Sequence, residues 1–136
     1  MSLQHAAIQL LNHASQTLDG LAGAGVHPKD CSYASVKLAR AARRLQVEPL
    51  HTQDVAAAFR EMQSARPSIQ VVWDAKVPKP QLAFVTLTCS AYNAAVELLE
   101  GLKSFPEQVS LDHPQAGTLQ ARLRRLLPAG WWGSHD

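Results

Sequence analysis

Cysteine is sparse in this 136-residue sequence, and long apolar runs and known catalytic motifs are missing; each absence argues against a class of protein. The two cysteines, Cys31 and Cys89, stand far apart and outside any Cys-x-x-Cys spacing, which favours two reduced thiols over a disulfide framework or a thiolate metal site. No run of eighteen apolar residues occurs, and the opening MSLQHAAIQLLNHASQ has neither a basic start nor a small-residue cleavage site. No membrane span and no secretory signal are therefore expected, and an intracellular location, cytoplasmic or nuclear, is. His5, His13, His27, His51, His113 and His135 lack ligand spacing, so no metal is expected. Gly-x-Ser-x-Gly, the phosphate loop and Gly-x-Gly-x-x-Gly are missing, and GLAGAG at 20–25 follows no predicted strand and carries no lysine, so it reads as a linker. Asp54, Glu61, Glu97 and Glu100 fall on predicted exposed helical faces rather than beside an apolar cleft. An enzyme and a cofactor are thus not expected.

What is present is enough apolar sequence to fold. A hydrophobic share of 46% is close to the globular average, and a chain of this length buries well over half of its unfolded surface. Leu3, Ala7, Leu10, Leu11, Ala14 and Leu18 recur at helical spacing and predict an amphipathic helix over 3–19 that stops near Gly20. A second helix, capped by Ser32, is predicted through YASVKLARAARRL. The net charge is only +2, yet seven of the thirteen Lys and Arg residues fall in two short segments. These hold Lys37, Arg40, Arg43 and Arg44 in one and Arg122, Arg124 and Arg125 in the other. Clustered cations can track phosphates, although on helices they are more often a solvated face.

From residue 45 the pattern changes. LQVEPL reads as a short strand, and Thr52 as the cap of a helix TQDVAAAFREMQ ended by Pro67. SIQVVWDA and QLAFVTLT read as strands paired through a turn containing Lys76, Pro78, Lys79 and Pro80. Ser90 is expected to cap AYNAAVELLEGLK, and QVSLD to form a last short strand. TLQARLRRLL predicts a compact helix with Leu119, Leu123, Leu126 and Leu127 on one side, stopped by Pro128. Its apolar stripe needs a cover, because so short a helix is marginal alone in water.

The order strand, helix, strand, strand, helix, strand over 45–113, with the helix phrase T-x-x-D-V-x-x-x-F-R-E-M and the strand LAFVTL, resembles an RNA-recognition motif. The family's third-strand pattern falls on Pro80 to Leu87, where Ala83, Phe84 and Val85 agree, and the first-strand stacking position falls on Gln46. The resemblance implies an α+β, ferredoxin-like fold: a four-stranded antiparallel sheet at 45–113, an N-terminal helical extension at 1–44, and a C-terminal helix with a Trp-containing tail at 114–136. It also implies a non-enzymatic protein that binds RNA or single-stranded nucleic acid within a ribonucleoprotein assembly. Leu82 and Phe84 would face outward with Trp73 nearby, and Phe59 would lie in the helix-sheet core. Lys37, Arg40, Arg44, Arg122 and Arg125 would meet phosphates. The competing reading is an adaptor that binds a protein partner through the sheet or flanking helices without nucleic-acid contact, with Trp131 and Trp132 as anchors.

Overall fold

The computed structural model describes residues 2–104 together with Ala121, Arg125 and Leu126. Four helices account for the continuous part: α1 Leu3–Gly23, α2 Pro28–Leu45, α3 Thr52–Trp73 and α4 Lys79–Ser104. Each has a local reason to begin. Ser2 accepts the His5 backbone N–H at 3.0 Å, and Pro28 sits in the first turn of α2, where no N–H is needed. At the start of α3, the His51 N–H donates to Asp54 at 3.0 Å. Pro80 falls in the first turn of α4, where the amides of Gln81 and Leu82 turn back to the Pro78 carbonyl. The α1–α2 turn closes with the Val26 N–H on the Leu21 carbonyl and the Gly25 N–H on that of Ala22. Gly25 holds φ 83 there, a left-handed position natural to glycine. The GLAGAG stretch is therefore a helix end rather than a linker, and α1 runs three residues past Gly20.

All four helices carry apolar or small buried positions at alternating spacings of three and four. In α1 these are Leu3, Ala7, Leu10, Ala14, Thr17 and Leu21, and in α2 Cys31, Ala34, Leu38, Ala41 and Leu45. In α3 they are Val55, Ala58, Met62, Ala65, Ile69 and Val72, and in α4 Val85, Thr88, Tyr92, Ala95, Leu99 and Leu102. Extensive packing joins α1 to α4, α2 to α3 and α1 to α2, whereas α3 packs much more sparsely on α4. The bundle is thus a four-sided arrangement with one weakly closed side. Side-chain hydrogen bonds cross every side. Ser15 meets Ser35 at 2.8 Å, Ser68 donates to Asp30 at 3.1 Å, Thr17 meets Thr88 at 2.6 Å, and Tyr92 donates to the Met62 carbonyl at 3.0 Å.

The ferredoxin-like, α+β expectation and the likeness to an RNA-recognition motif are overturned, because no strand occurs among the described residues. LQVEPL is the end of α2 and the start of a connection; SIQVVWDA closes α3, and QLAFVTLT opens α4. Ser90 lies inside α4 rather than capping it. The physical reason is burial. Pro67 forfeits a single helical hydrogen bond and lies exposed, while the stripe that includes Ala65, Ile69 and Val72 continues past it into the core. The expected strand QVSLD falls outside the described residues. Ala121, Arg125 and Leu126 are helical, in keeping with the helix expected around them.

Within the described residues, Lys79–Lys103 alone is long and apolar enough to cross a membrane by length and composition, and half of that span is buried inside the bundle. Two neighbours, α1 and α3, account for its wide apolar face. Leu98 is fully buried, so Leu98→Ala should cost about 2–5 kcal/mol in a denaturant titration. Pro67→Ala should act in the opposite direction. Restoring the helical donor is worth up to about 3 kcal/mol, less about 1 kcal/mol for the looser unfolded chain, for a net gain of about 1–2 kcal/mol. A loss of stability there would contradict a continuous α3.

Candidate functional site

The weakly closed side holds a groove of about 540 Å³ between α3 and α4. Met62, Ile69, Cys89 and Tyr92, all buried, form its floor, and the half-buried Phe59 and Val96 stand on its walls. Gln63, Arg66, Gln70, Asn93 and Glu100 supply an exposed polar rim. Trp73, 54% exposed at the end of α3, completes it. Leu126, from the far end of the chain, also lines the groove and packs against the core. An apolar floor within a polar rim suits the apolar stripe of a helix.

The shape follows from side-chain volume. Of the largest fully buried side chains, α1 contributes Leu3, Leu10, Leu11, Leu18 and Leu21, whereas α3 contributes Met62 alone. Ala58 and Ala65 are buried but do not line the groove. One cation lies close to the apolar wall. The Lys103 ammonium sits 4.3 Å from the Phe59 ring centroid and 3.8 Å from the Glu100 carboxylate, a cation–π contact with a counter-ion beside it. Phe59 is thus a half-buried groove wall and not the fully enclosed core residue expected under a sheet.

The groove is poor in chemistry. Burial pushes the Cys89 thiol up to about 11, so the nucleophilic thiolate is scarce near neutrality. Tyr92 is also raised by burial, a shift that the nearby Arg66 charge partly opposes. No group of three or more His, Cys, Asp or Glu able to hold a metal occurs among the described residues. Binding is within reach of these side chains; covalent or metal chemistry is not supported by them.

No family model matches the sequence, and neither a curated protein nor a solved structure does. The site must be read from its own geometry.

The expected nucleic-acid residues are not brought together as one surface. Trp73 lines the α3–α4 groove, but Phe84, 44% exposed on α4, lies on the α1 side next to Gly20. Leu82 is exposed near the start of α4, and Gln46 is exposed in the α2–α3 connection. Lys37 is half-buried, with its ammonium 3.6 Å from Glu61 on α3 and 5.6 Å from the Tyr33 ring centroid. Arg40 and Arg44 are exposed on α2, and Arg125 is exposed as well. Arg122, Trp131 and Trp132 lie outside the described residues. Met62, Tyr92 and Val96 were not foreseen as groove residues, although all three fall in segments read as helices. The face shared by Val55, Ala58, Phe59 and Met62 was visible in the sequence, but the open side between α3 and α4 was not.

Cys31 is likewise raised to about 11, by burial first and by the Asp30 charge second. Both thiols start from 9.0, so the folded state holds its thiol protons to higher pH than the unfolded chain does. Their contribution to stability is complete below pH 9.0 and is lost as pH rises through about 11. Two outcomes should follow: slow native-state reaction with a thiol reagent at pH 8 that accelerates on unfolding, and a fall in denaturation midpoint between pH 9 and 11. A Cys31→Ser/Cys89→Ser chain should show a smaller fall.

Proposed function

We propose that the chain is a non-enzymatic interaction protein whose α3–α4 groove receives one amphipathic helix of a protein partner. The observation that carries the reading is the seating of Leu126 in that groove, since a leucine from a helical segment already fits between α3 and α4. Trp73 at the rim suits the role of anchor: large aromatic side chains at the edge of an apolar pocket often dominate interface energies. The polar rim supplies register through Gln63, Gln70 and Asn93 while leaving affinity to the floor. A partner helix of this kind carries leucine-sized residues at i, i+3 or i+4, and i+7.

A second reading rests on a separate observation. Tyr33, Val36 and Arg40 are exposed at i, i+3 and i+7 on α2, with Arg43 and Arg44 a turn further along, and these three arginines form no ion pair among the described residues. Such a face suits single-stranded nucleic acid, with stacking on Tyr33 and phosphates on the arginines. Lys37 contributes less than its spacing suggests, because Glu61 already engages it.

Helical peptides selected from a display library against the full chain separate the two readings. Under the groove reading, Val96→Asp abolishes peptide binding, and Arg40→Glu/Arg43→Glu/Arg44→Glu leaves it intact. Selected peptides that ignore Val96→Asp would sink the reading. Under the second, the triple arginine reversal weakens RNA binding and flattens the plot of log K against log salt by about 0.7 per lost contact. An unchanged slope reduces the α2 face to solvated charge.

A further inference from the structure

We infer that the groove is held by the chain's own segment 118–127, so that a partner helix must displace it. The inference rests on the groove reading above and adds its regulation. Leu126 is the direct observation: helical, half-buried, packed against the core and lining the groove from a position more than twenty residues beyond α4. The surrounding sequence, TLQARLRRLL, supplies the rest of a matching face. Leu119, Leu123 and Leu126 stand at i, i+4 and i+7 and so project to one side of a helix.

Exposure on the opposite side agrees. Ala121 and Arg125 are exposed and helical, as the outward positions of a helix whose Leu126 faces inward would be. Length agrees as well. A ten-residue helix spans about 15 Å, and the groove follows α3 from Phe59 to Trp73 over about 21 Å, so the segment fits within it and leaves one end uncovered. Charge adds direction, because Arg122, Arg124 and Arg125 flank the leucines and Glu100 stands on the rim. The segment is too short to be a stable helix by itself, so its hold depends on the groove and is exchangeable. A segment in place for about 99% of the time lowers the apparent affinity of an outside helix about a hundredfold.

The test uses the full chain with Trp131→Phe and Trp132→Phe, which leaves Trp73 as the only tryptophan. Trp73 emission and its quenching by acrylamide are recorded with the native segment and after Leu119→Asp/Leu123→Asp/Leu126→Asp. A second variant, Ala121→Pro, breaks the helix at an exposed position without touching a groove-facing leucine, and far-UV circular dichroism verifies the bundle in both. The expected result is a red shift and stronger quenching in both variants, with a library-selected helix binding up to about a hundredfold more tightly than to the native segment. Unmoved Trp73 emission in a folded Ala121→Pro chain, with peptide affinity unchanged, overturns the inference and leaves the groove reading standing. A shifted emission with no peptide bound by any variant overturns the partner reading, and with it the displacement, while assigning the segment a purely structural place.

Discussion

Helix α4 carries the one stretch among the described residues long and apolar enough to cross a membrane, and the need to cover its wide face organises the packing around it. Val85, Tyr92, Leu98, Leu99 and Leu102 cannot all be hidden by one neighbour, because one packed helix shields a stripe and not half a cylinder. Packing against α1 covers one flank. The other flank faces α3, which contributes a single large fully buried side chain, Met62, and packs far more closely on α2 than on α4. Burying a leucine-sized side chain is worth about 1.5–3 kcal/mol, so the flank toward α3 has a standing driving force to acquire further cover. The groove is the geometric expression of that incomplete burial.

The polar ties across the four sides are unequal in kind, and the difference falls on the same seam. Ser15 with Ser35 and Thr17 with Thr88 pair two hydroxyls inside the core, and a backbone carbonyl, of Ser35, Ser15, Ala14 or Phe84, lies within reach of each hydroxyl, so the two protons of each pair are shared among three contacts. Such arrangements fix register, since sliding one helix would strand buried donors. Between α2 and α3, the Asp30–Ser68 bond is joined by the Lys37–Glu61 ion pair. Across α3 and α4 the tie is a tyrosine hydroxyl on a backbone carbonyl, which a small shift of either helix strains without stranding a second side chain. Local opening in proteins draws on regions with the least buried apolar contact. By that measure α3 and α4 separate before α1 leaves α2 or α4.

Much of the helical framework was legible, and the misreading has a definite physical origin. Helices α1 and α2 and the first half of α3 were plain from leucine and alanine spacing. The second half of α3 and the first half of α4 carry Ile69, Val71, Val72, Val85, Thr86 and Thr88, residues whose branched side chains favour strands when nothing else intervenes. Two prolines reinforced the error. Yet Pro80 lies in the first turn of α4, where a helix tolerates proline, and Pro67 lies exposed well inside α3, where its cost is outweighed by the core stripe that continues past it. Thr88 shows how its residue type is accommodated: its hydroxyl meets the Phe84 carbonyl one turn back at 2.7 Å and Thr17 across the interface. The likeness to an RNA-recognition motif drew on Ala83, Phe84 and Val85, which in a strand would alternate faces. In α4 only Val85 enters the core, while Ala83 and Phe84 are exposed, a rotation of about 100° per residue in place of 180°.

The site was legible only in part, because a groove depends on relations between helices that no single stretch of sequence contains. Trp73 was identified as a binding residue, and it lines the groove, but its expected companion Phe84 lies on the α1 side of α4. What decides the location is the pairing order. If α3 and α4, joined by a short connection, packed as closely as α1 and α2 do, no open side would remain and Leu126 would have nowhere to enter. The connection 74–78 permits close packing, so the separation comes from the facing side chains and not from the loop. Phe59 and Val96 stand on the groove's walls, and Met62 is the one large fully buried side chain that α3 contributes. A cavity lined on its floor by Met62, Ile69 and Tyr92 gains little by admitting water, since few of its inner atoms offer hydrogen bonds. It gains more from a leucine, and one is already there.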